Sequence, residues 1–169
     1  MLNLFAYTGG ATLAAAAAGA QVTHVDASKG MVTWAKENAV SSGLGDAPIR
    51  WLVDDCVKFV EREIRRGNTY DAIIMDPPSY GRGPKGEIWK IEDMIHPLIK
   101  LCTKILSKDA LFFLVNSYTT GLAPAVLTYM ISTELKPWNG HVDSQEIGLP
   151  VTDSGLVLPC GASGRWERD

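Results

Sequence analysis

Four short segments carry residues that can approach, accept from or orient a ligand. They are "AYTGG", with Gly9 and Gly10; "VTHVD", ending at Asp26; "WLVDD", ending at Asp54 and Asp55; and "DPPSY", beginning at Asp76. A glycine turn admits a ligand to the backbone because no Cβ intervenes. A diphosphate-binding turn would read G-x-G-x-x-G. Here Gly9-Gly10 runs on into Ala11-Thr12-Leu13, so the loop suits a ligand without a diphosphate. Asp26 can accept hydrogen bonds from two vicinal ribose hydroxyls, the task of the acid at this place in nucleotide folds. Asp55 either accepts from an exocyclic adenine amine or is a solvated loop carboxylate.

Asp76-Pro77-Pro78 is the most informative stretch. Consecutive prolines fix the backbone and remove two N–H donors, which leaves carbonyls and the Asp76 carboxylate as an acceptor-rich edge. Such an edge suits an amine that must be oriented, with Tyr80 nearby to stack on a planar ring. The alternative is a rigid turn that ends a buried strand. Asn116, in "VNSY", either bonds the edge of a base or simply ends its strand.

The elements that must position these residues alternate along the chain. Strand-like runs occur at Leu2–Phe5, Val22–Val25, Ile49–Val53, Ala72–Met75 and Leu111–Val115. Each is followed by a helix-like run: Gly10–Ala18, Lys29–Ser41, Val57–Arg66, Glu92–Leu106 and Pro124–Thr133, the last with proline in its first turn. Two further strand candidates, Val142–Ile147 and Gly155–Leu158, close the chain around a turn-rich segment. Five βα units and a closing hairpin make seven strands. They predict an α/β fold with a doubly wound, mostly parallel sheet and an antiparallel C-terminal hairpin. In such a sheet, ligands bind at the carboxyl ends of the strands near the switch point, where all the residues above fall.

The 169 residues suffice for one domain with a substantial core, and a formal charge of −3 gives no electrostatic forecast of nucleic-acid binding. The 3 cysteines are widely separated and form neither a metal pair nor a disulfide framework. A reduced, cytoplasmic environment is expected. His24 and His96 have no partner at metal spacing, so no metal is expected. No apolar run approaches the roughly 20 residues that span a bilayer, and no membrane partner is expected. The first strand begins almost at Met1, which raises the expectation that residues 1–169 form a catalytic domain lacking an upstream substrate-binding domain.

Taken together, these segments make the chain resemble the class I S-adenosylmethionine-dependent methyltransferases. More narrowly, it is similar to the bacterial enzymes that modify cytosine C5 or guanine in large-subunit ribosomal RNA. The likeness runs over nearly the whole chain. "NLFAYTGG" resembles the family's first motif, "VTHVDAS" its ribose-binding acid, "VDDC" its adenine site and "YDAIIMDPPSYGRG" its fourth motif. The resemblance implies a Rossmann-like methyltransferase fold, with an antiparallel seventh strand inserted beside the fifth, and S-adenosyl-L-methionine as cofactor. By position, Phe5, Tyr7, Thr8 and Gly9 would bind that cofactor, the last three at its methionine part. Asp26 would hold the ribose, with Ala27 and Ser28 beside the adenine, and Asp55 would meet the adenine amine. Asp76 and Pro77 would face the methyl group and the target base. The implied partner is RNA, in particular ribosomal RNA.

Transfer to C5 needs a cysteine thiolate that attacks C6 of the pyrimidine. The related cytosine enzymes would carry it just after the fifth strand, where this chain has Asn116-Ser117-Tyr118. Cys160 ends an expected antiparallel strand and is read as pointing to the wrong edge of the sheet, while Cys56 and Cys102 read as core residues. Transfer to a base nitrogen needs chiefly alignment of nucleophile, methyl and sulfur. Nitrogen is therefore the favoured acceptor, with Asp76, Pro77, Tyr80 and Asn116 as the catalytic set. C5 transfer through a differently placed cysteine, a small-molecule acceptor, and a cofactor-binding module without catalysis are the alternatives. Two basic stretches remain. Lys58, Arg62, Arg65 and Arg66, interleaved with Glu61 and Glu63, read as a solvated helix face. "GRGPKGEIWK", with Arg82, Lys85, Trp89 and Lys90, reads as a flexible loop that either touches RNA or serves as a mobile lid.

Overall fold

A computed structural model describes residues 1–83 and 85–169 of the chain. The parallel core consists of β1 (Leu2–Leu4), α1 (Gly10–Ala17), β2 (Val22–Asp26), α2 (Lys29–Ser41), β3 (Ile49–Val53), α3 (Cys56–Arg66) and β4 (Ala72–Met75). A small hairpin follows, β5 (Tyr80–Arg82) and β6 (Ile88–Lys90), and then α4 (Ile91–Thr103), β7 (Phe112–Ser117) and α5 (Pro124–Glu134). The chain closes with β8 (His141–Pro150) and β9 (Val157–Glu167). Local chemistry starts the helices where the sequence suggests. Ser28 Oγ accepts the Met31 N–H at 3.3 Å to open α2, and Asp55 Oδ1 accepts the Lys58 N–H at 2.9 Å to open α3. Gly67, at φ 69°, ends α3 in the left-handed conformation that closes many helices.

The main sheet has 7 strands in the order β3-β2-β1-β4-β7-β9-β8. The first five strands in that order run parallel, and β9 enters antiparallel between β7 and β8. This is the doubly wound α/β sheet with a C-terminal antiparallel hairpin that the sequence predicts. Strand order reverses beside β1, between β2 and β4, which places the switch point at the carboxyl ends of β1 and β4. Register sets the core. Leu2, Ile73 and Phe113 lie side by side across β1, β4 and β7, and Leu4, Met75 and Val115 form the next row. All six are fully buried and cluster with Phe59 and Val60 of α3, Leu98 and Ile99 of α4, and Leu127 and Ile131 of α5. The opposite face carries a polar link to α1: Asn3 Nδ2 donates to Thr12 Oγ1 at 2.9 Å, and Thr12 Oγ1 meets His24 Nδ1 at 2.9 Å.

The structure departs from the sequence reading in several places. The last strand runs from Val157 to Glu167 rather than ending at Leu158. Its second half, "CGASGRW", lacks the β-branched pattern of a strand because neighbours press on its backbone. A Cβ on Gly164 would come within 2.8 Å of Ile131 and Leu127 on α5. The segment after the prolines is not an unstructured loop but the β5–β6 hairpin; Pro84 of that segment lies outside the described residues. Finally, Glu63 is not part of a solvated face. It is fully buried and accepts hydrogen bonds from Tyr70, Asn68 and Arg66, with Arg50 at 3.5 Å. Burial works to raise its pKa, but these bonds and the Arg50 charge outweigh it and hold Glu63 below its ordinary value.

His24 supplies a pH test of this packing. It is fully buried, and desolvation pulls its pKa down to about 4, partly opposed by the Asp26 charge. A depressed histidine is neutral in both states above the unfolded value of about 6.5, so it costs nothing there. Below that value the unfolded chain takes up a proton that the folded one resists. Stability should therefore fall by roughly 2–3 kcal/mol as pH drops from about 6.5 to 4. Thermal unfolding of the wild type and of His24→Asn across this window measures the effect; equal slopes would show that His24 titrates normally in the fold.

Candidate functional site

The site is built where the parallel strands end. After β1 the backbone enters the left-handed region twice, at Phe5 (φ 55°) and Tyr7 (φ 47°), a conformation that L side chains rarely adopt. The Asp26 carboxylate, at the end of the adjacent strand, holds this turn. Its Oδ2 accepts the Tyr7 N–H at 2.9 Å and its Oδ1 accepts the Ser28 N–H at 2.8 Å. Phe5 N–H donates to Cys56 Sγ at 3.4 Å, which ties the same turn to the start of α3. Such strain clusters at functional sites and persists only where the surroundings enforce it.

Gly9 has a packing task that its sequence context does not show. A Cβ there would lie 3.1 Å from the Ala35 Cβ and 3.1 Å from Leu13, at a φ of +89°. The glycine thus lets α2 pack against the start of α1. Gly10, by contrast, has open space around its missing Cβ.

Beyond β4, Pro77 is buried and Asp76 half-buried. Burial pushes the Asp76 carboxyl above its ordinary value. The β5–β6 hairpin folds back over this segment and is pinned by Trp89, whose Nε1 donates to the Pro78 carbonyl at 2.7 Å. The Trp89 ring meets Phe5 with centroids 4.8 Å apart at 56°. Trp89 is only 6 % exposed, so the aromatic of this stretch is turned inward as an anchor and does not offer its face to a base outside. Arg82, Lys85 and Lys90 are exposed on the same hairpin. Glu87 bonds Lys58 of α3 and the Lys85 N–H; the Lys58 hydrogen bond is the chief cause that draws the Glu87 carboxyl down to about 2.

These elements enclose a cavity of about 460 Å³, within the range of small-ligand sites. Phe5, Tyr7, Asp26, Ala27, Ser28, Asp55, Asp76 and Pro77 all line it, so most of the sequence-derived residues converge on one space. Thr8, Gly9, Tyr80 and Asn116 do not line it. The Thr8 carbonyl accepts from Asn38 Nδ2 at 3.0 Å, Tyr80 is half-exposed on β5, and Asn116 pairs with Ser163 inside the sheet. Sequence reasoning missed Cys56, Val57, Trp89 and Tyr118 as lining residues. Cys56 opens a helix that begins at the cavity, and its buried thiol is pushed well above the usual range by desolvation, only partly opposed by the Phe5 N–H. Tyr118 had a signal: it is an aromatic directly after a strand whose neighbours all end at the site.

A second correction concerns Cys160. β9 runs antiparallel to β7 and pairs Ala162 with Ser117, the last residue of β7. Cys160 therefore lies past the carboxyl edge, on the side of the site and not at the opposite edge. Its thiol donates to the Ile147 carbonyl at 3.3 Å. Among the described residues, no group of three or more His, Cys, Asp or Glu side chains could hold a metal ion, and no helix is long and apolar enough to cross a membrane.

The sheet order, with carboxylates at the ends of β2 and β3 around a cavity at the switch point, defines a doubly wound protein built to hold a nucleoside-containing ligand. The chain belongs to the S-adenosylmethionine-dependent methyltransferase family, whose pattern residues 1–132 match. It is 44% identical to the SAM-dependent methyltransferase from Agrobacterium tumefaciens, covering 99% of this chain and 55% of that one with a TM-score of 0.94. It is 36% identical over 107 residues to ribosomal RNA large subunit methyltransferase K/L of Shewanella frigidimarina, covering 60% of this chain and 15% of the relative. Against ribosomal RNA large subunit methyltransferase K of Neisseria meningitidis it is 32% identical over 118 residues, covering 69% of this chain and 33% of the relative. The chain thus spans from about a seventh to about half of the length of these proteins. A methyltransferase from Streptococcus mutans shares the fold at 22% identity and a TM-score of 0.77.

The residues present fit the family's cofactor. Asp26 already accepts one backbone N–H on each carboxylate oxygen, and each oxygen keeps a further lone pair for a ribose hydroxyl. Phe5, Cys56 and Val57 offer apolar surface on the cavity wall, and Asp55 supplies a second acceptor there. Replacing Asp26 by Ala removes both the ligand acceptor and the clamp on Tyr7. Affinity for S-adenosylhomocysteine should fall by about 10- to 100-fold, the effect of losing hydrogen bonds to a charged group. Isothermal titration calorimetry measures it, and unchanged affinity in a folded variant would remove Asp26 from the site.

Proposed function

We propose that this chain is the catalytic domain of a methyltransferase that modifies a base in RNA, ribosomal RNA first among candidates, at a base nitrogen. The observation that carries the reading is the position of Asp76. Its half-buried carboxylate lies on the same cavity as Asp26 and Asp55, with Pro77 behind it and Tyr118 beside it. When bound, S-adenosylmethionine supplies an electrophilic methyl group on a sulfonium. Asp26 and Asp55 hold the nucleoside part, and the turn at Phe5 and Tyr7 borders the remainder. Asp76 accepts an N–H of the acceptor amine and turns the nitrogen lone pair into the cavity. The nitrogen would gain the methyl group as the methyl–sulfur bond breaks and the thioether S-adenosylhomocysteine leaves, and Asp76 would take up the one proton the nitrogen loses; its raised pKa makes it a better base than an exposed aspartate. Support for RNA comes from the relatives, which are named as ribosomal RNA methyltransferases. Further support comes from exposed Arg82, which lines the cavity, and from exposed Lys85 and Lys90 on the same hairpin, which suit phosphate contacts. An RNA substrate and free thiols at Cys56, Cys102 and Cys160 are in keeping with a cytoplasmic protein.

One observation favours a second reading. Cys160 lies on the carboxyl edge near Tyr118, where a thiol for C5 transfer would have to act. The two chemistries differ in what they trap. A C5 enzyme forms a covalent adduct with RNA containing 5-fluorocytidine, and transfer to nitrogen forms none.

The test is tritiated methyl transfer from S-adenosylmethionine to an unmodified transcript of large-subunit ribosomal RNA. Methyl incorporation at a nitrogen, with no adduct on the fluorinated transcript, is the expected result; an adduct through Cys160 would move the assignment to C5. Asp76→Asn should lower kcat by about 100-fold. The pH–rate profile carries the sign: catalysis needs ionised Asp76, so activity is lost as pH falls through its raised pKa. That acid limb lies above the one expected for an exposed aspartate and disappears in the variant. Wild-type turnover in Asp76→Asn would remove the base from this site.

A further inference from the structure

A second cavity lies beside the first. β9 pairs with β7 only as far as Ala162; before it, Gly161 and Val157 to Pro159 pair with β8 alone, and Cys160 falls at the register shift between them. This two-stranded arm stands past the carboxyl edge of the sheet. Between the arm and the segment that follows β7 is a cavity of about 390 Å³ with Thr119, Thr120, Glu146 and Cys160 on its walls. Tyr118 is the one described residue that borders both cavities. Its ring is 54 % exposed, and its hydroxyl pKa is raised by partial burial and by the neighbouring Asp76 and Cys160.

Two features hold Tyr118 in that position. A Cβ on Gly161 would overlap the Ser117 carbonyl and approach the Tyr118 ring to 3.0 Å, so glycine there lets the arm close against Tyr118. Ser79 Oγ meets Thr119 Oγ1 at 2.7 Å, which couples the segment after the prolines to the segment that carries Tyr118. That bond joins the walls of the two cavities, Ser79 lining the first and Thr119 the second.

We infer that the second cavity receives the acceptor: a planar nucleobase bearing N–H donors, stacked on Tyr118 with Glu146 and Thr120 as hydrogen-bonding groups at its edge. This rests on the methyl-transfer reading above and adds the place of the substrate to it. A tyrosine face stacks on any base, and the carboxylate of Glu146 selects for amine or imino hydrogens over carbonyl edges. Tyr118 then divides the donor space from the acceptor space, and the reacting nitrogen reaches Asp76 past its ring.

Cys160 makes the proposal testable by two independent routes. It is the half-buried thiol of the three cysteines, Cys56 and Cys102 being buried, so N-ethylmaleimide should modify it first. S-adenosylhomocysteine alone should leave the modification rate within about twofold, because it occupies the other cavity. The unmodified large-subunit RNA transcript, added with S-adenosylhomocysteine, should slow it by about tenfold or more. In steady-state methyl transfer, Tyr118→Ala should raise the KM for the transcript by about 10- to 100-fold while S-adenosylhomocysteine affinity stays within about threefold. Tyr118→Phe, which keeps the ring, should recover most of the loss. If the wild type methylates the transcript but neither the Tyr118→Ala KM nor the Cys160 rate responds, the acceptor lies elsewhere and this inference fails alone. If no variant transfers methyl groups to RNA and the transcript does not protect Cys160, the RNA reading fails and takes this one with it.

Discussion

The segment after β1 holds two L residues in left-handed backbone, Phe5 and Tyr7, and on its own it would relax to an extended conformation. The Asp26 carboxylate prevents this by accepting the Tyr7 N–H with one oxygen and the Ser28 N–H with the other. That pair of bonds joins the ends of two neighbouring parallel strands. It sets the mouth of the cavity, fixes Phe5 where Trp89 packs on it, and points the remaining lone pairs of the carboxylate at the ligand space. An acid that in other settings would only bind a ligand here also builds the surface on which the ligand lies.

The hairpin after the two prolines depends on the same turn. Trp89 reaches over it, touching Phe5 with its ring and the Pro78 carbonyl with its N–H. The prolines remove backbone donors from this segment, and Trp89 uses one of the acceptors thus left unpaired. Basic side chains stay outside on the hairpin while its aromatic anchor goes in. The second arm, from β8 and β9, is carried differently. Its free end is held by pairing between its own strands, and its base by the close contact that Gly161 permits with Ser117 and Tyr118. Both hairpins thus border the carboxyl edge, one over the donor cavity and one over its neighbour.

Much of this was legible beforehand because parallel strands signal themselves. Short apolar runs followed by acids or glycines place Asp26, Asp55 and Asp76 on one edge once alternation with helices is recognised. Residues whose role depends on a distant neighbour were misread. Glu63 alternates with basic residues like a surface glutamate, yet Tyr70 and Asn68, beyond the end of its helix, turn its carboxylate inward. Trp89 lies among Gly, Lys and Arg in the sequence and is buried by Phe5 from the far end of the domain. At Gly9 the ligand-turn reading is untouched, but the need to accommodate Ala35 of the next helix was not visible in the sequence.

The sequence by itself determined the order of the main-sheet strands and their helices, the direction of most strands and the acids that meet at the switch point, because periodicity and strand-end chemistry are local. It also determined the family, through motifs at those strand ends. Only the tertiary structure decided how far the last strand extends, which edge Cys160 occupies and that Tyr118 stands between two cavities. Those depend on where β9 inserts and on how closely its backbone can approach β7 and α5. Such contacts are made by glycines, which carry no side chain to declare their partner, so the chain alone does not reveal them.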